Sequence, residues 1–248
     1  MDHAVLYYAI FLFATFTASL VSSLAGFAFA PIIAAIWLHI LTPVETVTLI
    51  AAFGLIVQGA GIWRFRHALD WRRLAPFVIG AAGGIPLGVA ILQWADIRQV
   101  KAAVGILLVL FGVYGLVRPS LAPVKTGGKT LDGAIGFING VLAGVAGIPG
   151  ILVVMWATLR RWPSDVQRAV FQPLAFASFA LIILLLGTSG QISVHSIKLF
   201  FVGLPVLLAG TWLGLRLYGR LNPESFRRLV LILLTLSGAL LIIPPMQP

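Results

Sequence analysis

Gly144-Val145-Ala146-Gly147-Ile148-Pro149-Gly150 interrupts an apolar run that extends from Leu131 to Leu159. That run is too long for one membrane crossing of about 20 residues. Glycine and proline also disfavour an unbroken helix at its centre. Each half, ~14 residues or about 21 Å at 1.5 Å per residue, is too short to cross alone. The stretch is therefore expected to be a re-entrant hairpin of two short helices meeting at the break. Towards the amino terminus, Gly26-Phe27-Ala28-Phe29-Ala30-Pro31 breaks a second long run, Val5 to Leu41, which is long enough to cross twice. Six further apolar segments each suit one crossing: Val44 to Trp63, Leu74 to Trp94, Val100 to Val117, Val166 to Gly187, Ile197 to Leu215 and Leu229 to Ile243.

The 248 residues are 60% hydrophobic and only 10% charged, with a mean hydropathy of +1.06. An ordinary soluble domain carries about 25% charged residues to solvate its surface, so the expected class is an all-α polytopic membrane protein. The net charge of +10 does not mark a nucleic-acid partner, because the cations sit in short loops between apolar segments and form no single basic face. The absence of cysteine excludes disulfides, thiolate nucleophiles and Cys-ligated metals. The first apolar run continues too far for the core of a cleaved signal peptide and is expected to be retained.

Lys and Arg are held on the cytoplasmic side of a membrane. If both broken runs enter and leave on one side, the inside loops hold Arg64, Arg66, Arg72, Arg73, Arg118, Lys125, Lys129, Arg160, Arg161, Arg168, Arg216, Arg220, Arg227 and Arg228. Only Arg98, Lys101 and Lys198 then fall outside. A single crossing of the second run would flip the carboxy-terminal half and erase this bias. The charges therefore select hairpins and place both termini outside the cytoplasm. Trp37, Trp63, Trp71, Trp94 and Trp162 lie at segment ends, where indole favours the membrane interface.

The two halves answer each other. Leu24-Ala25-Gly26 pairs with Val145-Ala146-Gly147, 121 positions later, and Gly84-Ile85-Pro86-Leu87-Gly88 pairs with Gly210-Thr211-Trp212-Leu213-Gly214, 126 later. The latter offset also pairs Lys101 with Arg227 and Gly112 with Gly238. Each half is thus a broken-helix hairpin plus three transmembrane helices, an odd net number of crossings, so the repeats are expected to be inverted. The expected organisation is a first repeat over 1–117, a cytoplasmic linker over 118–130 and a second repeat over 131–248. Inverted repeats with broken helices characterise secondary transporters, whose substrate binds near the midplane where the breaks meet.

Arg64-x-Arg66-His67-x-x-Asp70-Trp71-Arg72-Arg73-Leu74-x-Pro76, followed by Gly80 and Gly84-Ile85-Pro86-Leu87-Gly88, resembles the first repeat of the TauE/SafE sulfite-exporter family. The stretch Gly136-Phe137-Ile138-Asn139-Gly140 through Gly150 resembles that family's second glycine-rich motif. The resemblance covers nearly the whole chain. It implies transport of sulfite, sulfonates or related small anions across the bacterial cytoplasmic membrane, coupled to an ion gradient. One departure is Gly26-Phe27-Ala28-Phe29-Ala30-Pro31, where the family has a run of glycines. The phenylalanines there point to a larger organic anion.

An anion at the midplane needs donors, and the free N–H groups at the start of a broken helix supply them together with the helix dipole. Gly26 and Pro31, with Gly144, Gly147, Pro149 and Gly150, fit that role; tight helix packing is the alternative use of such glycines. Ser22, Ser23, Phe27, Phe29, Gln58, Asn139 and Gln172 complete the candidate binding set. Neutral polar side chains in apolar segments are costly unless they face the bundle interior. The serines have the alternative of bonding back to their own helix. His39, Glu45, Asp165 and Arg168 are the candidates for coupling or gating, with helix capping the competing use for the two carboxylates. His3, His39, His67 and His195 lack metal-ligand spacing, and neither a G-x-S-x-G elbow nor a phosphate loop occurs. The expectation is therefore a transporter and not an enzyme, with no metal or cofactor. Its partners are a small anion, the lipid bilayer and a coupling proton or Na⁺, and a homodimer is compatible with this reading. The alternative class is a membrane scaffold or assembly protein that moves no substrate.

Overall fold

The computed structural model describes residues 3–25, 28–65, 70–117, 128–217 and 223–242, and it is all helical among them. The helices are α1 (His3–Ala25), α2 (Phe29–Trp37), α3 (Pro43–Phe65), α4 (Trp71–Trp94), α5 (Ile97–Val117), α6 (Lys129–Ala146), α7 (Ile151–Leu159), α8 (Ser164–Thr188), α9 (Val194–Leu217) and α10 (Pro223–Ile242). Among the described residues, six of these (α1, α3, α4, α5, α8 and α9) contain spans long and apolar enough to cross a membrane. Phe13, Ile79, Leu110 and Phe201 are exposed, whereas Thr15, Ser19, Gln58, Asn139 and Gln172 are buried. A surface of large apolar side chains around a core containing polar ones is what a hydrocarbon solvent selects. The chain is a polytopic membrane protein.

Both broken runs are hairpins, but they divide differently from the expectation. The first does not cross twice: α2 has nine residues, about 14 Å of helix, half the hydrocarbon thickness. It ends early because the next helix starts early. Thr42 and Glu45 form a capping box, with Thr42 N–H and Oγ1 donating to Glu45 Oε2 at 3.1 and 2.9 Å and Glu45 N–H donating to Thr42 Oγ1 at 3.3 Å. Pro43 occupies the first helical position, where no N–H is needed. The second run splits not into equal halves but into an 18-residue α6 and a nine-residue α7.

Each short helix folds back along its partner. Trp37, at the end of α2, stacks on Phe11 of α1 with ring centroids 4.8 Å apart. Trp37 is fully buried, so it packs in the core and does not sit at the interface as its position in the sequence suggested. In the second hairpin, Trp156 Nε1 of α7 donates to Asp132 Oδ1 of α6 at 2.8 Å.

Helix pairing repeats at the offsets seen in the sequence. The extensive pairs are α4 with α6, α1 with α9, α5 with α10 and α3 with α8. A Cβ on Gly84 would overlap the Phe137 carbonyl and lie 2.9 Å from Val141 N, and one on Gly210 would lie 2.7 Å from Phe16 O and 3.4 Å from Leu20 N. Phe16 and Leu20 precede Phe137 and Val141 by 121 positions. Between α5 and α10, a Cβ on Gly105 would come 2.7 Å from Gly238 O, and one on Gly112 would come 2.9 Å from Leu231 O. Exchanging the halves turns the first of these contacts into the second.

Candidate functional site

The residues before α2 and α7 share one unusual backbone conformation. Ala28 has φ 81°, ψ 0° and Gly150 has φ 96°, ψ −9°, both left-handed. Glycine adopts this conformation without penalty, whereas an alanine pays about 1–2 kcal/mol. Ile32 N–H and Val154 N–H donate to the carbonyls of Ala28 and Gly150 at 3.1 and 2.8 Å, closing the first turn of each short helix. The N–H groups ahead of them have no carbonyl within their own helix.

Both N-termini open onto one cavity of about 20 Å³, room for a water-sized group. Ala28, Phe29, Ala30 and Pro31 line it from the first hairpin; Pro149, Gly150, Ile151 and Val154 line it from the second. The rest of the wall is Ser22 of α1, Gln58 of α3, Phe111 of α5, and Phe171 and Phe179 of α8. Among the described residues no charged side chain lines it. Ser22 and Gln58 are 3% and 5% exposed. Among the described residues neither side chain has a hydrogen-bond partner, although Thr15 and Ser19 of the same α1 bond back to Phe11 O and Phe16 O. The serines' alternative of bonding back to their own helix therefore holds for neither Ser22 nor Ser23 among the described residues, although Ser19 does so.

Asn139 lies one shell behind the cavity. Its Oδ1 accepts the Gly150 N–H at 2.8 Å, tying α6 to the start of α7, while its Nδ2 is buried without a partner. Gln172 packs against Gly61, whose added Cβ would meet Gln172 Nε2 at 2.5 Å, and Gln172 Oε1 is likewise unpartnered.

Other candidates serve packing and backbone geometry. A Cβ on Gly144 would meet Val89 N at 2.6 Å and Ile85 O at 2.7 Å, so Gly144 lets α6 lie on α4. Gly147, at φ 68°, is the left-handed C-cap of α6, and its N–H donates to Ala143 O at 2.8 Å. Ser23 packs where α9 approaches, 2.6 Å from a Cβ placed on Gly214. Gly26, Phe27 and the Asp165 side chain lie outside the described residues. Among the four coupling candidates, Glu45 completes the capping box, His39 is exposed with Nδ1 3.0 Å from Ala35 O, and Arg168 is half-buried. None of these three lines the cavity. Among the described residues, no three His, Asp or Glu side chains are grouped to hold a metal ion.

Sequence reasoning missed Phe111, Phe171 and Phe179. The eight-residue spacing of Phe171 and Phe179 puts them on one helical face, but only the fold shows which helix they meet. It also missed Asp132, whose carboxylate takes the Trp156 indole N–H and a guanidinium N–H of Arg160, with Arg160 Nη1 3.3 Å from Oδ1. Arg160 lies over the Trp156 ring at 5.0 Å and beside Trp162, and Arg73 of α4 lies 5.4 Å from Trp162. This network clasps the open end of the second hairpin. Asp132→Ala strands a buried indole N–H and a guanidinium whose side chain is only 18% exposed. We expect a loss of about 2–4 kcal/mol, read as a lower thermal midpoint in detergent, and a smaller loss for Asp132→Asn. An unchanged midpoint for Asp132→Ala would mean that the hairpin is held by apolar packing alone.

A family model described as "Sulfite exporter TauE/SafE" matches residues 11–241. The chain is similar to "Probable sulfite/organosulfonate exporter TauE" of Cupriavidus necator, 25% identical over 214 residues that cover 82% of this chain and 81% of that protein. It is also similar to "Probable inner membrane transporter protein TsaS" of Comamonas testosteroni, 28% identical over 171 residues, 68% of this chain and 70% of that one. No solved structure matches it.

Proposed function

The chain belongs to the TauE/SafE sulfite-exporter family, and on that premise we propose that it is a secondary transporter moving sulfite, a sulfonate or a related small organic anion across the bacterial cytoplasmic membrane. The observation that carries this reading is the convergence of two half-helix N-termini, one from each half of the chain, on a single buried cavity. Each N-terminus brings a partial positive charge and unpaired N–H donors to the same point. Gln58 and Ser22 add neutral polar groups, and the phenylalanines exclude water.

The exchangeable contacts of α4, α6, α1 and α9, and of α5 with α10, support two inverted repeats joined by the 118–130 linker; the placement of both termini outside the cytoplasm rests on the distribution of Lys and Arg. The same contacts refine the expected motion. Each half's fourth helix packs backbone to backbone on the other half's hairpin, so the bodies that move in alternating access are composite: α1, α2 and α9 against α6, α7 and α4. A proton or Na⁺ gradient drives the cycle.

The direct test is uptake into proteoliposomes under an imposed pH or Na⁺ gradient, with sulfite, sulfoacetate, taurine, methanesulfonate and small carboxylates as substrates. Saturable flux of at least one is expected, and Gln58→Leu should weaken its half-saturation about tenfold through loss of one buried hydrogen bond to an anion. Folded protein that carries none of them would turn the reading towards a scaffold.

A further inference from the structure

We infer that the cavity selects a single negative charge: it takes monoanions of the R–SO₃⁻ type and rejects tetrahedral dianions of the same size. This rests on the transport reading above and concerns the charge its site can neutralise. Two half-helix N-termini supply about +0.5 each, hence about one positive charge in all. Among the described residues no Lys, Arg or His side chain lines the cavity to add to it.

The hydrogen-bond inventory gives the same limit. Phe29, Ala30 and Ile151 are cavity residues whose N–H groups lie in first turns and have no acceptor in their own helix. Pro31 has no N–H to give, and the Gly150 N–H is already taken by Asn139 Oδ1 at 2.8 Å. The Gln58 amide and the Ser22 hydroxyl, both at least nine-tenths buried and unpartnered, complete the set. The cavity in this structure has room for only a water-sized group, so a sulfonate enters when the two hairpins part, and that set can then satisfy its oxygens. A second full charge in the same space would have only phenylalanine and aliphatic neighbours, and a buried charge without a counter-charge is strongly disfavoured. The fourth substituent of the anion therefore faces the apolar wall of Phe111, Phe171 and Phe179, where a carbon fits and an oxyanion does not.

Methanesulfonate and sulfate test this cleanly, because they are nearly the same in size and shape and differ by a methyl group in place of one charged oxygen. The measurement is exchange of each labelled anion into proteoliposomes loaded with the same anion, at equal Na⁺ concentration and one alkaline pH on both sides and at zero membrane potential. Saturable methanesulfonate exchange is expected, with sulfate half-saturating at a concentration at least about 100-fold higher, or not exchanging at all. Gln58→Arg places a full positive charge on the wall and should narrow that gap; a folded variant that still excluded sulfate would count against the charge argument. Comparable exchange of both anions by the unmodified protein would overturn the inference and leave transport standing. If neither anion exchanged and the substrates of the uptake panel also failed to move, the transport reading itself would fall, and this inference with it.

Discussion

Gly84→Leu is expected to abolish folding, leaving no monodisperse protein after detergent extraction. Along α4, Gly80, Gly84 and Gly88 recur every fourth residue, so they share one face. That face lies on the backbone of Gly133, Phe137 and Val141 of α6, and α4 also meets a second row of α6 glycines, Gly136, Gly140 and Gly144. Added Cβ atoms on these three would come within 2.5 Å of Phe77 O, 2.6 Å of Ala81 O and 2.6 Å of Val89 N. The atoms in the way are backbone on both sides, so no rotamer change relieves the clash and the helices must separate. Separation forfeits the close dispersion contact on which helix association in lipid depends. The cost therefore exceeds the roughly 1–3 kcal/mol of an ordinary overpacked core. Gly83→Leu is the control: Gly83 is exposed, and its Cβ would meet only the edge of the Phe137 ring at 3.6 Å. Equal yields of the two variants would show that α4 and α6 can part without loss.

Gly150→Ala is the second large effect, and it should fall on transport more than on folding. The left-handed φ of 96° costs an alanine about 1–2 kcal/mol. The new methyl would also run into the ring of Phe171, which lines the cavity. Relief requires the start of α7 to shift, which moves the Ile151 N–H and loosens the Gly150 bond to Asn139. A displacement of that kind is expected to cut the transport rate by about 100-fold, against a modest drop in thermal midpoint. Wild-type uptake by Gly150→Ala would remove the second half-helix from the site.

Much of this architecture is legible along the chain, for identifiable reasons. Apolar segments of spanning length become helices because lipid offers the backbone no other partner. Glycine and proline break two of them because those residues alone change the backbone's options locally. The offsets of 121 and 126 survive because packed backbones leave no room for a side chain at Gly84, Gly88, Gly210 and Gly214. Of the candidate binding residues, Ser22, Phe29, Pro31, Gln58, Pro149 and Gly150 do line the cavity.

Other features depend on which surfaces meet. Sequence alone does not distinguish Gly144 in a helix contact from Gly150 at the cavity, since both are glycines in one motif. Glu45 and Asp132 are both acidic residues in a helix's first turn, yet one closes a capping box and the other joins a buried indole of α7 and the guanidinium of Arg160 just beyond it. The aromatic wall brings together Phe111 and Phe171 from different halves of the chain. Helix, break and repeat are set by local chemistry, the hydropathy of a segment and the φ freedom of a residue, and so the sequence by itself determined them. The cavity's charge, its donors and the clasp on the second hairpin come from side chains and N–H groups far apart in the chain, and only the tertiary structure decided them, because only packing says which of many compatible faces share a wall.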